Sequence, residues 1–142
     1  LLRRDRVMDG SEPSLDIRIA VFASDPETLD SLTDYLRAAG ARALPMRELR
    51  LAERVDVIVL FGDEFDTAPT KRFVLAWAGA GASRPILIVA TGRQEIVDSV
   101  RGDSGAVVLR RPVWGWVLLA AIRSAIRDVA LTRVAHSPKS PA

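Results

Sequence analysis

The sequence predicts an α/β domain: a doubly wound, five-stranded parallel sheet in a three-layer α/β/α arrangement. Three observations carry this. Five short apolar runs alternate with segments of helical periodicity. The runs are continuous rather than alternating, as in strands covered on both faces. The chain has 142 residues, 49% of them hydrophobic, which is enough for one core and one domain.

The elements follow in order. IRIAVFA, at 17–23, reads as the first strand. In the helix after it, Asp25 suits the cap, Pro26 the first turn and Glu27 the positive end. Leu29, Leu32 and Leu36 recur at helical spacing, and Gly40 ends the pattern. ARALPM is a weak second strand, and Pro45 points to an edge position or an early end. RELRLAERV reads as a short second helix and DVIVLF as the third strand. The third helix, TKRFVLAWAGAGA, puts Phe73, Val74 and Trp77 on one side. PILIVAT is the fourth strand. RQEIVDSVRG is a short fourth helix with Ile96, Val97 and Val100 inward. AVVLRRPV is the fifth strand, and the apolar segment from Trp114 to Val134 is a long fifth helix. The polar, proline-bearing ends, 1–15 and 135–142, are expected to be flexible, leaving 16–134 as the folded domain.

Composition narrows the function. Without cysteine there are no disulfides and no thiolate metal sites, which fits a cytoplasmic protein. No apolar run approaches the roughly 20 residues of a membrane span, and no apolar segment follows the basic start as in a signal peptide. The net charge is +2, and the basic residues toward the C-terminus form no single run, so a solvated helix face is expected. The lone His136 lies in the tail and is not expected to be catalytic.

Right-handed crossovers place the site of such a sheet at the carboxyl ends of its strands. The residues there are Ala23, Ser24 and Asp25; Phe61, Gly62, Asp63 and Glu64; Ala90 and Thr91; and Arg110, Arg111 and Pro112. Three motifs are set aside. GDSG at 102–105 matches a serine-protease nucleophile motif but has no histidine base within the domain, so Ser104 reads as a turn residue. GAGA at 79–82 follows a helix pattern, whereas a dinucleotide loop follows a strand. SDPET, after the first strand, is explained by helix capping.

The ordered set IRIAVFASDPETLDSLTDYLRAAG, DVIVLF, RPILIVATG and GDSGAVVLRRPV resembles the receiver domain of two-component response regulators, over roughly 16–133. The resemblance implies a flavodoxin-like (βα)5 fold. It also implies a phosphoacceptor aspartate ending the third strand, carboxylates after the first strand holding Mg²⁺, and a hydroxyl and a lysine that bind the phosphoryl oxygens. This chain departs at each of these positions. Of the acidic cluster only Asp25 remains, behind Ala23 and Ser24. Phe61 stands at the phosphoacceptor position. Ala90 stands at the hydroxyl position, with Thr91 one residue late and so on the other side of the strand. Arg111, followed by Pro112, replaces the lysine, and its planar fork is not an ammonium. The interval from Gly40 to Phe61 is shorter than the family usually has, so the second helix is expected to be trimmed or irregular. Asp63, Glu64 and Asp66 read as solvated loop acids; the alternative is that Asp63 turns back into the pocket.

The expectation is therefore a degenerate receiver-like domain: no phosphoacceptor, no catalysis, no metal and no cofactor. It would act by protein–protein contact in bacterial signalling. A homodimer or partner face is expected from the fourth helix, fifth strand and fifth helix, with Trp114, Trp116, Leu118, Leu119, Ile122 and Ile126 as candidates. Direct nucleic-acid binding is not expected, because no helix-turn-helix follows the last helix. The alternative is a flavodoxin-like domain binding a small ligand or anion at the strand ends.

Overall fold

The segment Val57–Phe61 is buried along its whole length, as a central strand between two helical layers must be. The computed structural model describes residues 15–136 apart from 53, 82 and 104, with side chains described through residue 130. Its order is β1 (Arg18–Phe22), α1 (Pro26–Ala38), β2 (Arg42–Met46), β3 (Val57–Phe61), a 3-10 turn at Gly62–Glu64, α2 (Thr67–Ala78), β4 (Ile86–Ala90), α3 (Gln94–Val100), β5 (Ala106–Leu109) and α4 (Gly115–His136). The strands lie in the order β2-β1-β3-β4-β5, all parallel. This is the predicted doubly wound sheet, and Pro45 sits on the edge strand β2.

Strand alternation divides the core in two. Ile19, Val21, Val57, Val59, Phe61, Ile88 and Ala90 face α1 and α4, where Leu29, Leu36, Leu118 and Ile122 meet them. Phe22, Ile58, Leu60, Leu87 and Val89 face α2 and α3, against Phe73, Val74, Trp77, Ile96 and Val100. Trp77 is fully buried yet satisfied: its indole N–H donates to Pro85 O at 2.7 Å. The helix stripes predicted from spacing are those the sheet covers, except that Val97 is only half-buried.

The second helix, expected to be short and trimmed or irregular, is irregular chain: RELRLAERV forms no helix among its described residues, and four α-helices stand among the described residues of the chain. The segment joins β2 to β3, and its Leu49, Ala52 and Val55 pack against the α2–α3 side of the core as irregular chain. The expected domain limits also move. Leu15 is buried and its N–H donates to Ala39 O at 2.9 Å, so it belongs to the fold rather than to an extension. The last helix runs to His136, past the expected end at 134. The remainder of both expected tails, and Ser104 itself, lie outside the described residues.

Two interface candidates are core instead. Leu118 and Ile122 are wholly buried against the sheet, because α4 must present one apolar stripe to it. Leu119 and Ile126 are half-buried at the margin of that stripe. Trp114 and Trp116 stand 59% and 66% exposed.

Candidate functional site

The candidate site is the rim where β1, β3, β4 and β5 end. Phe61, the last residue of β3, is 4% exposed. It pairs in register with Ala90 and shares its cluster with Ala23. Small side chains on the neighbouring strand ends leave room that the ring fills. Ala23 and Ala90 are fully buried and carry no polar group. The end of β3 is thus apolar and closed.

Beyond Phe61 the chain tightens into the 3-10 turn Gly62–Glu64, which changes the fate of the two acids that follow. A Cβ at Gly62 would lie 3.3 Å from Ile96 Cδ1 and 3.4 Å from Thr91 Cβ, so glycine lets the turn pass close beneath β4 and α3. Asp63 and Glu64, expected as solvated loop acids, are instead both engaged. The turn, rather than a longer strand, carries Asp63 to the chain that follows β4 and β5.

Asp63 meets four partners. The Thr91 hydroxyl donates to its Oδ1, and the Gly92 N–H donates to Oδ2 at 2.9 Å. Arg93 Nε lies 3.7 Å from Oδ1 and Arg111 Nη1 lies 3.9 Å from Oδ2. Thr91 is fully buried, on the α2–α3 side as strand parity requires, beside Gly62 and Ile96. Its Oγ1 accepts the Arg93 N–H at 3.0 Å, which leaves the hydroxyl proton for Asp63. Burial, the largest single influence on Asp63, pushes its pKa up. The Thr91 and Gly92 hydrogen bonds and the Arg93 and Arg111 charges together outweigh it and hold the carboxyl below its ordinary value. Arg93 also fastens the turn: Nη1 donates to Phe65 O at 2.6 Å and to Thr67 Oγ1 at 3.3 Å, and Nη2 to Asp63 O at 3.1 Å.

Glu64 turns the other way. Its Oε1 accepts the backbone N–H groups of Ser24 at 2.7 Å and Asp25 at 2.8 Å, at the entry to α1. The Ser24 hydroxyl returns a bond to Glu64 O at 3.0 Å. Asp25 is the cap that its position predicts: Oδ2 accepts the Thr28 N–H at 2.9 Å and the Thr28 hydroxyl at 2.7 Å. These two bonds, the side-chain one first, hold the Asp25 pKa below its ordinary value.

The rim does not fit the Mg²⁺ ion that the resemblance implies. Ala23 and Ser24 bring no carboxylate, and Asp25, Asp63 and Glu64 each spend theirs on a protein donor. Among the described residues no group of three histidine or carboxylate side chains is placed to hold a metal. Likewise no helix among them is long and apolar enough to cross a membrane.

The structure therefore brings Asp63, Thr91 and Arg111 together, buries Phe61, Ala23 and Ala90 in the cluster facing α1 and α4, and leaves Ser24 and Asp25 to the α1 entry. Sequence reasoning missed Gly92, Arg93 and the role of Glu64. Their signal was a glycine followed by two acids at one strand end, opposite Thr-Gly-Arg at the next.

No family model and no curated protein matches the sequence. Solved structures do. The chain is similar to the CheY-like response regulator receiver domain from Methanospirillum hungatei, at 17% identity and TM-score 0.58, over 80% of this chain and 95% of that one. It is similar to a two-component response regulator from Clostridium difficile, at 14% identity and TM-score 0.59, over 80% and 98%. It is also similar to the BeF3-activated DrrB receiver domain, at 14% identity and TM-score 0.55, over 80% and 99%. At these identities the likeness is one of fold, and it joins the strand order and the helix layers in one conclusion: the chain has the receiver-domain fold.

Proposed function

We propose that this domain is an atypical receiver-like module that works without phosphorylation, through protein–protein contact in bacterial signal regulation in the cytoplasm, and that it is not an enzyme. The observation that carries this is Phe61. A ring that can neither accept a phosphoryl group nor bind a metal fills the end of β3, 4% exposed. The nearest substitute, Asp63, is committed to Thr91, Gly92, Arg93 and Arg111. Incubation with Mg²⁺ and acetyl phosphate, followed by intact mass measurement, tests the reading. The expected mass is unchanged; a stoichiometric phosphoryl adduct, on Asp63 or elsewhere, overturns it.

The contact surface we favour is the face of α3, β5 and α4, with a second copy of the chain as the partner. Support comes from Trp114 and Trp116, both largely exposed, and from β5, a half-buried edge strand. Solution mass by sedimentation, before and after replacing both tryptophans with alanine, decides between dimer and monomer.

A second reading has one observation in its favour. A cleft of about 450 Å³ beside Ser24 is lined by Pro45, Met46, Arg47, Glu48 and Arg50. Its arginines suit a small anionic ligand at the strand ends. A thermal shift of the native protein with nucleotides or phosphates would support that alternative.

A further inference from the structure

Asp63 is held more completely than a loop acid requires. Its carboxylate faces a hydroxyl, a backbone amide and two guanidinium groups, drawn from the ends of β4 and β5. Thr91 is fully buried, its oxygen accepts the Arg93 N–H, and its hydroxyl carries a single proton to donate. Its proton therefore needs an anion or another acceptor in this place, or a buried donor is left unpaired. Hydroxyl, amide and guanidinium donors bind oxyanions in general, so nothing in the set selects a carboxylate over a phosphate or sulfate. Glu64 repeats the arrangement one residue later, on the Ser24 and Asp25 amides.

We propose that Asp63 is the resident internal ligand of an oxyanion-binding cradle made by Thr91, Gly92, Arg93 and Arg111, and that free inorganic phosphate or sulfate fills the cradle when Asp63 is absent. The inference rests on reading the domain as phosphorylation-independent, and it adds a cause: the groups that would receive an anion already hold one. It also gives the occupant a consequence. Through Arg111, Asp63 ties the β3–α2 turn to the β5–α4 connection, which leads to Trp114 and Trp116.

The test compares the full chain with its Asp63→Ala variant in inorganic phosphate. At phosphate about ten times its dissociation constant, the variant should gain about 4 °C in melting temperature. The native protein should gain far less, because its cradle is filled. Adding Arg111→Met to the variant should abolish most of the gain. If Asp63→Ala does not fold, Asp63→Asn is compared in the same way, since it keeps the side-chain shape but places an amide among cationic donors. A folded variant that gains no more than the native protein overturns the proposal. An equal gain in both proteins assigns the phosphate to another place, such as the Arg47–Arg50 cleft, and also overturns it. A gain that survives Arg111→Met means an adventitious ion only. Neither variant can form an acyl phosphate on residue 63, so these outcomes are independent of the phosphodonor assay on the native chain.

Discussion

The Thr91 hydroxyl donates to the Asp63 carboxylate across 28 residues of chain, joining the end of β4 to the turn after β3. The same hydroxyl accepts the Arg93 N–H, and Arg93 in turn binds the carbonyls of Asp63 and Phe65. The contact is thus one member of a closed network, and its loss is felt by several groups. The rim is held by the protein's own carboxylates, above a β3 end that is apolar.

Replacing Asp63 with alanine should destabilise the domain by about 1–2 kcal/mol in urea unfolding, because a charged acceptor is lost and a buried hydroxyl loses its partner. Asp63→Asn should cost less, since it keeps one acceptor oxygen. Equal stability of all three proteins would show that the network contributes nothing.

Acid should weaken the fold through the same group. Asp63 and Asp25 have folded pKa values below their ordinary ones. An unfolded aspartate titrates near about 3.9, so the stabilisation is fully present above that pH and is lost as pH falls through the lower folded values. Urea midpoints should therefore fall on acidification below about pH 4, and the fall should be shallower in Asp63→Asn.

Phe61→Ala should cost about 3–4 kcal/mol, since a buried ring is removed from a site flanked by strand ends. Phe61→Asp should be at least as costly, because it buries a carboxylate in an apolar cluster with no partner. A folded Phe61→Asp protein should still yield no acyl phosphate with Mg²⁺ and acetyl phosphate, because Ala23 and Ser24 supply no metal ligand.

Arg93→Ala should loosen the turn without touching the core. Amide hydrogen exchange should rise at Gly92 and Asp63 relative to β3 and β4, and global stability should fall by about 1 kcal/mol. Exchange that rises uniformly would mean that Arg93 does not act locally.

Trp114→Ala and Trp116→Ala should each change monomer stability by no more than about 0.5 kcal/mol, as exposed positions do. Leu118→Ala, two residues on, should cost about 2–5 kcal/mol. If the α3–β5–α4 face joins two copies, only the tryptophan variants should lower solution mass while leaving the fold intact.

The apolar runs by themselves determined the sheet, because a strand covered on both faces has to be continuously hydrophobic and few other elements are. Spacing determined the buried stripes of α1, α2 and α3 for the same reason, and Asp25 could be read as a cap from its place before Pro26. Where the sequence read too much helix, at RELRLAERV, local periodicity was overruled by a connection that packs as irregular chain. In α4, several apolar residues competed for the sheet, and only the folded arrangement separated Leu118 and Ile122 from the exposed tryptophans. The rim was the least legible part. Asp63 and Glu64 are adjacent acids after a glycine, a pattern that does not by itself say which donor each one meets. Their roles depend on a 3-10 turn that Gly62 allows and on donors 28 to 48 residues ahead for Asp63, and about 40 residues behind for Glu64. Hydrogen bonds between strand ends are non-local, so the tertiary structure alone decided which acid met which donor.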